Sequence, residues 1–196
     1  MTTKDMERRT FSVREFRVEG ADGLPPKISG HAAVFDQLSE DLGGFRERIA
    51  KGAFERTLKE GADVRGLFNH DPNFILGRST AGTLRLKEDI SGLLTEIDPP
   101  DTQFARDLLV SMKRGDISQM SFGFYTKQDK WDKLDGAWVR TLLDAELFDV
   151  SIVTYPAYPQ TDAAVRSLAA ARQTIELPPE TPYLIGLRRR ELELIA

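Results

Sequence analysis

The chain of 196 residues contains no cysteine and only two histidines, His31 and His70. Without cysteine it has no disulfide, no thiolate metal site and no cysteine nucleophile. Histidine is the side chain that most often carries protons in reactions near neutral pH, so the choice of a catalytic base is narrow. His70 is the more informative of the two, because it lies where the apolar segment Val64–Phe68 meets a turn signal, Asp71-Pro72-Asn73.

Other absences exclude whole classes of protein. No apolar run approaches the roughly 20 residues of a membrane span, and residues 1–9 have no apolar segment of the signal-peptide kind. The formal net charge of −4 argues against nucleic acid as a partner. A hydrophobic content of 40% and a charged content of 30% are typical of a globular domain. We expect that domain over residues 1–170, and a linker with a helical tail over residues 171–196.

Short apolar segments separated by glycine and proline dominate residues 10–154. Their alternation predicts a series of strands, and Asp135-Gly136 predicts a hairpin turn. Many strands with few helices indicate a β-rich α+β fold, which we expect to be a closed or nearly closed antiparallel barrel with helices packed outside. The predicted strands are Phe11–Val18, Ile28–Phe35, Val64–Phe68, Thr83–Leu86, Leu93–Ile97, Ile117–Tyr125, Trp138–Leu143 and Leu147–Thr154.

Helical spacing of apolar residues predicts two helices within the domain, Ile49–Lys59 and Thr102–Arg114. The second has Thr102 or Asp101 as a capping residue and Gly115 just beyond its end. Two further helices are predicted after Pro156, over residues 162–173 and 184–195, with a proline-rich linker between them.

Two more clusters supply residue types that could act with His70. Ser121 and Gly123 share one face of a predicted strand, opposite Met120 and its apolar neighbours, and the small glycine predicts room for a substrate backbone. Asp149 interrupts an apolar strand, where a carboxylate must be exposed or paired. A serine, a histidine and a carboxylate are the parts of a nucleophilic acyl-transfer site.

Alternatives remain for two of these roles. Glu146 could replace Asp149 as the carboxylate, but an odd offset sends the two to opposite faces of a regular strand, so at most one should reach His70. Ser118 is a second possible nucleophile, on the other face from Ser121. A metal site built from the histidines and Asp71 lacks a recognisable ligand spacing, so we expect no metal and no cofactor.

A series of short motifs follows in order along residues 28–164. They are Gly30-His31-Ala32-Ala33-Val34-Phe35, Lys51-Gly52-Ala53-Phe54, Phe68-Asn69-His70-Asp71, Leu76-Gly77-Arg78, Lys113-Arg114-Gly115-Asp116-Ile117, Met120-Ser121-Phe122-Gly123-Phe124 and Phe148-Asp149-Val150-Ser151-Ile152-Val153-Thr154-Tyr155-Pro156-Ala157. Taken together, these motifs resemble the prohead (capsid maturation) proteases of HK97-like tailed phages and of gene transfer agents. That family is in turn distantly similar to the herpesvirus assembly proteases, serine peptidases on a β-barrel ringed by helices.

The resemblance implies a serine endopeptidase with His70 as general base, Ser121 as nucleophile and Asp149 as third member, although the family often has Glu at the last position. It also implies a setting, the immature capsid in the bacterial host cytoplasm, and a partner, the major capsid protein with its scaffolding segment. Cleavage of the protease itself and a homodimer are further expectations. Arg78 and Arg140 could assist an oxyanion hole or could be ordinary surface residues.

Two other functions compete with this reading. A protease-like fold without activity could serve as a scaffold or capsid-interaction module. A general esterase or peptidase is the second, but the chain lacks the Gly-x-Ser-x-Gly elbow of the α/β-hydrolases. The tail could be a targeting or self-processed segment, or a helix docked on the domain.

Overall fold

In the computed structural model, residues 6–12, 17–19, 26–155 and 166–172 are described. Within them no helix is long and apolar enough to cross a bilayer. Strands predominate, as expected of a β-rich α+β protein. The elements are β1 (Glu7–Ser12), β2 (Arg17–Glu19), β3 (Lys27–Val34), β4 (Phe45–Ile49), α1 (Glu55–Lys59), β5 (Arg65–Phe68), β6 (Asp71–Arg78), a 3₁₀ turn (Ser79–Ala81), β7 (Leu84–Glu88), β8 (Gly92–Ile97), α2 (Gln103–Arg114), β9 (Gln119–Leu134) and β10 (Ala137–Val153).

Two sheets organise these strands. The larger has the order β1-β9-β10-β5-β6, with β4 also paired to β10, and the smaller has the order β2-β3-β8-β7. The hairpin of β9 and β10 is the longest unit of the larger sheet, and its turn is the predicted Asp135-Gly136, with φ angles of 51° and 81°. Positive φ at both central residues is the requirement of a tight type I′ turn.

The expectation of an antiparallel barrel is not met in two respects. Strands β4 and β5 both run parallel to β10, along successive stretches of the same strand, so the larger sheet is mixed. The connection between them contains α1, which carries the chain forward before it re-enters the sheet in the same direction. Within the described residues the ladders form two sheets rather than one closed barrel, and a single bridge between Phe35 and Ile49 joins β3 to β4.

The main core lies against one face of β9, as the alternation of that strand predicts. Met120, Phe122 and Phe124 are fully buried there. Helix α2 covers part of this core and has the predicted boundaries: Thr102 Oγ1 accepts a hydrogen bond from Ala105 N at 3.3 Å, and Gly115 ends the helix in the left-handed region at φ 83°.

The predicted helix over Ile49–Lys59 is wrong in its first half. Ile49 ends β4, and Gly52 adopts φ 86°, outside helical geometry, so α1 begins only at Glu55. The apolar residues at helical spacing, Ala53 and Phe54 among them, are buried against the main core. A helix and a tight loop can both bury side chains at this spacing, so the pattern does not distinguish them.

A second, smaller core anchors a C-terminal helix. Residues 166–172 are helical, within the range predicted for 162–173, and they contribute Leu168 and Ala171 to a cluster with Leu42, Phe45 and Trp138. The linker and the last predicted helix lie outside the described residues, as do Val13 and Phe16 of the first predicted strand. The division between a domain over 1–170 and a tail therefore stays a prediction.

Candidate active site

His70 occupies a two-residue turn between β5 and β6. Asn69 and His70 have φ angles of 53° and 58°, a type I′ arrangement that Phe68 and Asp71 close as a pair. Glycine usually takes the second position, so a histidine there indicates local strain. The turn is anchored to β10, because Asn69 N donates to Ile152 O at 2.8 Å and Asn69 Oδ1 accepts from Thr154 N at 2.9 Å.

The predicted turn at Asp71-Pro72-Asn73 was placed two residues too late. These residues belong to β6, in an irregular stretch where pairing with β5 is interrupted. Asp71 Oδ1 accepts from Asn73 N at 2.8 Å, a local contact of the Asx-turn kind that shapes the backbone. Asp71 therefore has a role in turn geometry.

His70 joins the two other predicted residues in one hydrogen-bonded chain. His70 Nε2 lies 2.7 Å from Ser121 Oγ, and His70 Nδ1 lies 2.5 Å from Asp149 Oδ1. Because a carboxylate only accepts, Nδ1 carries the proton, which leaves Nε2 as the acceptor for the serine hydroxyl. Ser151 Oγ donates to the same Asp149 Oδ1 at 2.8 Å and holds the carboxylate in place.

Strand register explains why these side chains meet. Ser121 lies directly opposite Ser151, and Gly123 lies opposite Asp149, so all four are on the face of the sheet away from Phe122. A Cβ atom on Gly123 would lie 2.5 Å from Asp149 Oδ2. The space that the glycine was expected to leave for a substrate backbone is thus filled by the carboxylate itself.

An irregularity in β10 overturns the parity argument against Glu146. The register shifts between Leu147 and Asp149, where Phe148 is the extra residue, so Glu146 and Asp149 lie opposite Tyr125 and Gly123, which share a face. Glu146 nevertheless forms an ion pair with Lys127. Asp149 is the carboxylate that contacts His70.

The remaining sequence candidates lie elsewhere. Ser118 is exposed and precedes β9. Arg78 pairs with Asp63 at 2.7 Å on the surface. His31 Nε2 lies 2.8 Å from Asp89 Oδ2, in the smaller sheet. In the described part of the chain, no group of three His, Asp or Glu side chains has an arrangement that could hold a metal ion.

Sequence reasoning missed a buried ionic cluster that involves Arg140. Its guanidinium bonds to Glu7 at 2.7 Å, to Glu47 at 3.1 Å and to Asp129 at 2.7 Å, and Arg9 bonds to the two glutamates as well. Burial alone would raise the pKa of Glu7, but its hydrogen bond to Arg140 and the charges of both arginines lower that pKa below its ordinary value of 4.5. Each charge in this cluster therefore has a partner, and the guanidinium of Arg140 has a structural role there.

The candidate site is assembled but closed to solvent. Ser121 is 0% exposed and Asp149 1% exposed, and the His70 side chain is 6% exposed. Because Ser121 is fully buried, the residues that cover it must move before a peptide can reach its Oγ atom. The hydrogen-bonded chain of Ser121, His70 and Asp149 is complete in this closed arrangement.

Comparisons with known proteins place the chain in a family. No curated protein matches it. A solved structure of the bacteriophage T4 capsid assembly protease, gp21, aligns with 13% sequence identity and a TM-score of 0.49, over 77% of this chain and 98% of that one. The family model described as Caudovirus prohead serine protease matches residues 11–174. Because this match covers most of the chain, the protein belongs to the Caudovirus prohead serine proteases, the peptidases of phage capsid maturation.

Proposed function

We propose that the chain is a serine endopeptidase with Ser121 as nucleophile, His70 as general base and Asp149 as the residue that orients the imidazole. The observation that carries this proposal is the unbroken hydrogen-bonded chain from Ser121 Oγ through both ring nitrogens to Asp149. His70 lies 2.7 Å from the serine oxygen on one side and 2.5 Å from the carboxylate oxygen on the other, an arrangement that matches the roles that such a reaction requires.

The reaction then follows from the direction of each hydrogen bond. Ser121 Oγ attacks the carbonyl carbon of the scissile peptide bond while its proton passes to His70 Nε2. The tetrahedral intermediate collapses when His70 returns that proton to the leaving amine, which leaves an acyl group on the serine. Water, deprotonated by His70, releases the acid product. Asp149 stabilises the imidazolium that forms in both steps.

The proposed substrate is the scaffolding segment of the major capsid protein, together with the protease itself, inside the immature capsid of a phage or gene transfer agent in the bacterial host cytoplasm. The family membership supports this setting. A closed site supports it too, because a protease enclosed with its substrate must stay inactive until assembly is complete. We extend the proposal to a distant similarity to the herpesvirus assembly proteases and to self-association as a homodimer.

Co-expression with the neighbouring capsid gene tests the proposal. We expect shortening of the capsid protein with the unmodified chain, and none with Ser121→Ala or His70→Ala, while both variants keep the thermal unfolding midpoint of the parent. A Ser118→Ala variant is the matched control and should cleave normally. Continued cleavage by Ser121→Ala would move the nucleophile to Ser118 or remove the serine mechanism.

The full burial of Ser121 also favours a second candidate, an inactive protease-like scaffold that binds capsid protein. The two functions differ in reaction with a fluorophosphonate probe, which labels only an activated serine. Labelling of the assembled particle at Ser121, and not of Ser121→Ala, supports the protease. Capsid assembly that needs the chain but is indifferent to Ser121→Ala supports the scaffold.

A further inference from the structure

Two buried polar atoms flank the proposed nucleophile without partners. Among the residues that the structure describes, Arg8 Nε and Gln119 Oε1 are the buried side-chain nitrogen and oxygen atoms that make no hydrogen bond. An unpaired buried polar atom is costly and rare in folded proteins, so each one needs a physical explanation. Both belong to strands of the sheet that carries Ser121.

Register places the two residues on the face of Ser121. Gln119 precedes Ser121 by two positions on β9, and no irregularity interrupts the pairing between them. Arg8 of β1 lies directly opposite Gly123, two positions after Ser121, and residues directly opposite in a ladder share a face. At a rise of about 3.3 Å per residue, each lies about 6.6 Å from the nucleophile along the strand direction, on opposite sides, and Arg8 is offset by one further strand spacing of about 4.8 Å.

The two atoms also have opposite hydrogen-bonding character. Arg8 Nε carries a hydrogen and can only donate, whereas Gln119 Oε1 can only accept. An extended peptide laid along the strand direction offers carbonyl oxygens and N–H groups at the same rise per residue, so it can satisfy a donor on one side of its scissile bond and an acceptor on the other.

We propose that Arg8 and Gln119 are substrate-binding residues, with Arg8 donating to an oxygen of the peptide and Gln119 accepting from one of its N–H groups, on the two sides of the bond that Ser121 attacks. This inference rests on the proposed protease function. It explains why both atoms lack partners in a closed site: the movement that admits the peptide to Ser121 also supplies their partners.

A comparison of activity with stability tests the assignment. The substrate is a synthetic peptide that spans the cleavage site mapped in the co-expressed capsid protein, and the variants are Arg8→Met and Gln119→Met. We expect each to lower kcat/KM about 10- to 100-fold, mostly through KM, since each removes one hydrogen bond to the substrate. The thermal unfolding midpoint should be unchanged or higher, because an unsatisfied buried atom has been removed.

Two controls separate this result from general damage. Gln128→Met changes an exposed glutamine on the same strand and should leave both quantities unchanged. Arg9→Met changes the neighbouring arginine in the ionic cluster and should lower the unfolding midpoint while the folded fraction keeps its KM. A lower midpoint with normal KM in Arg8→Met or Gln119→Met would overturn the assignment and make these residues structural.

Cleavage of a second peptide identifies the kind of oxygen that Arg8 contacts. In this peptide, amides replace the acidic residues near the cleavage site. If Arg8→Met weakens cleavage of both peptides equally, the partner is a main-chain carbonyl; if only the acidic peptide is affected, it is a carboxylate. Failure of the proposed protease function would appear differently, as cleavage that survives in Ser121→Ala.

Discussion

The two faces of strand β1 differ in whether their buried charged side chains have hydrogen-bonding partners. On one face Glu7 and Arg9 are 2% and 5% exposed, and each bonds to partners from other strands. On the other face, beside Ser121, Arg8 Nε is buried without a partner. A cluster with every charge paired stabilises one structure, whereas the buried donor of Arg8 near Ser121 has no partner, and the proposed substrate-binding role rests on this observation. If the faces differ in function, substitutions in the ionic cluster should lower the unfolding free energy, and substitutions on the face of Ser121 should lower activity.

The largest expected effect is on activity, from Asp149→Asn. An amide can donate to His70 Nδ1 and so favour the tautomer with its proton on Nε2, which can no longer accept from Ser121. We expect kcat for peptide cleavage to fall about 10⁴-fold with little change in KM. The control is Glu146→Gln, which breaks a surface pair with Lys127 and should retain nearly full activity. The bulge in β10 places both carboxylates on one face, so comparable losses of activity in the two variants would contradict the assignment of the orienting role to Asp149 alone.

The largest effect on stability is expected from Arg140→Met. The change leaves Glu7, Glu47 and Asp129 with too few partners, and removing one member of a buried ion pair typically costs about 3 to 5 kcal/mol of unfolding free energy. Denaturant unfolding measures it, and kcat per folded molecule should stay at the parent value. Arg114→Met, at an exposed ion pair with Asp116, is the control and should change the free energy by less than about 1 kcal/mol. Equal losses in the two would show that the cluster contributes no more than a surface pair.

Gly123→Ala should affect the catalytic face with a smaller magnitude. The added methyl group would lie 2.5 Å from Asp149 Oδ2, so the carboxylate must move and His70 with it. We expect kcat to fall about 10²-fold, the cost of a displacement on the order of 1 Å. In the control Gly66→Ala the nearest atom is the movable Ile97 Cδ1 at 3.2 Å, and activity should persist. Full activity in Gly123→Ala would show that Asp149 need not occupy its observed position.

The smallest effect is the contribution of Glu7 to the pH dependence of stability. Its pKa in the folded state lies below the unfolded value of 4.5, so the cluster contributes stability that is fully present above pH 4.5 and is lost as pH falls through the lower folded pKa. Unfolding free energies measured between about pH 3 and about pH 7 should show that loss on the acid side.

Glu7→Gln is the variant that isolates this contribution. It cannot titrate, so its unfolding free energy should fall less steeply with acidification than that of the parent. Equal slopes in the two proteins would assign the acid sensitivity to the surface carboxylates whose pKa values are also lowered by partners, such as Asp98 beside Arg85.

Sequence reasoning succeeded where a local rule has one outcome. Thr102 and Gly115 bound α2, Asp135-Gly136 forms the hairpin turn, and alternation separates Ser121 from Phe122. It failed where two structures satisfy the same pattern. The spacing of Ile49, Ala53 and Phe54 fits a helix, yet β4 and a loop bury the same side chains. The odd offset of Glu146 from Asp149 assumed a regular strand, and one extra residue in β10 reversed the result.

Local chemistry alone made His70, Ser121 and Asp149 candidates for an acyl-transfer site, with Glu146 and Ser118 as alternatives, and the family resemblance selected these three among them. Their convergence depends on long-range pairing: β5 and β9 flank β10, and the bulge at Phe148 turns Asp149 towards His70. Three other features depend on long-range pairing as well: the burial of Ser121, the paired charges around Arg140, and the unpaired atoms of Arg8 and Gln119. Each depends on which strand lies beside which, and strand order is set by packing across the whole molecule rather than by neighbours in the chain.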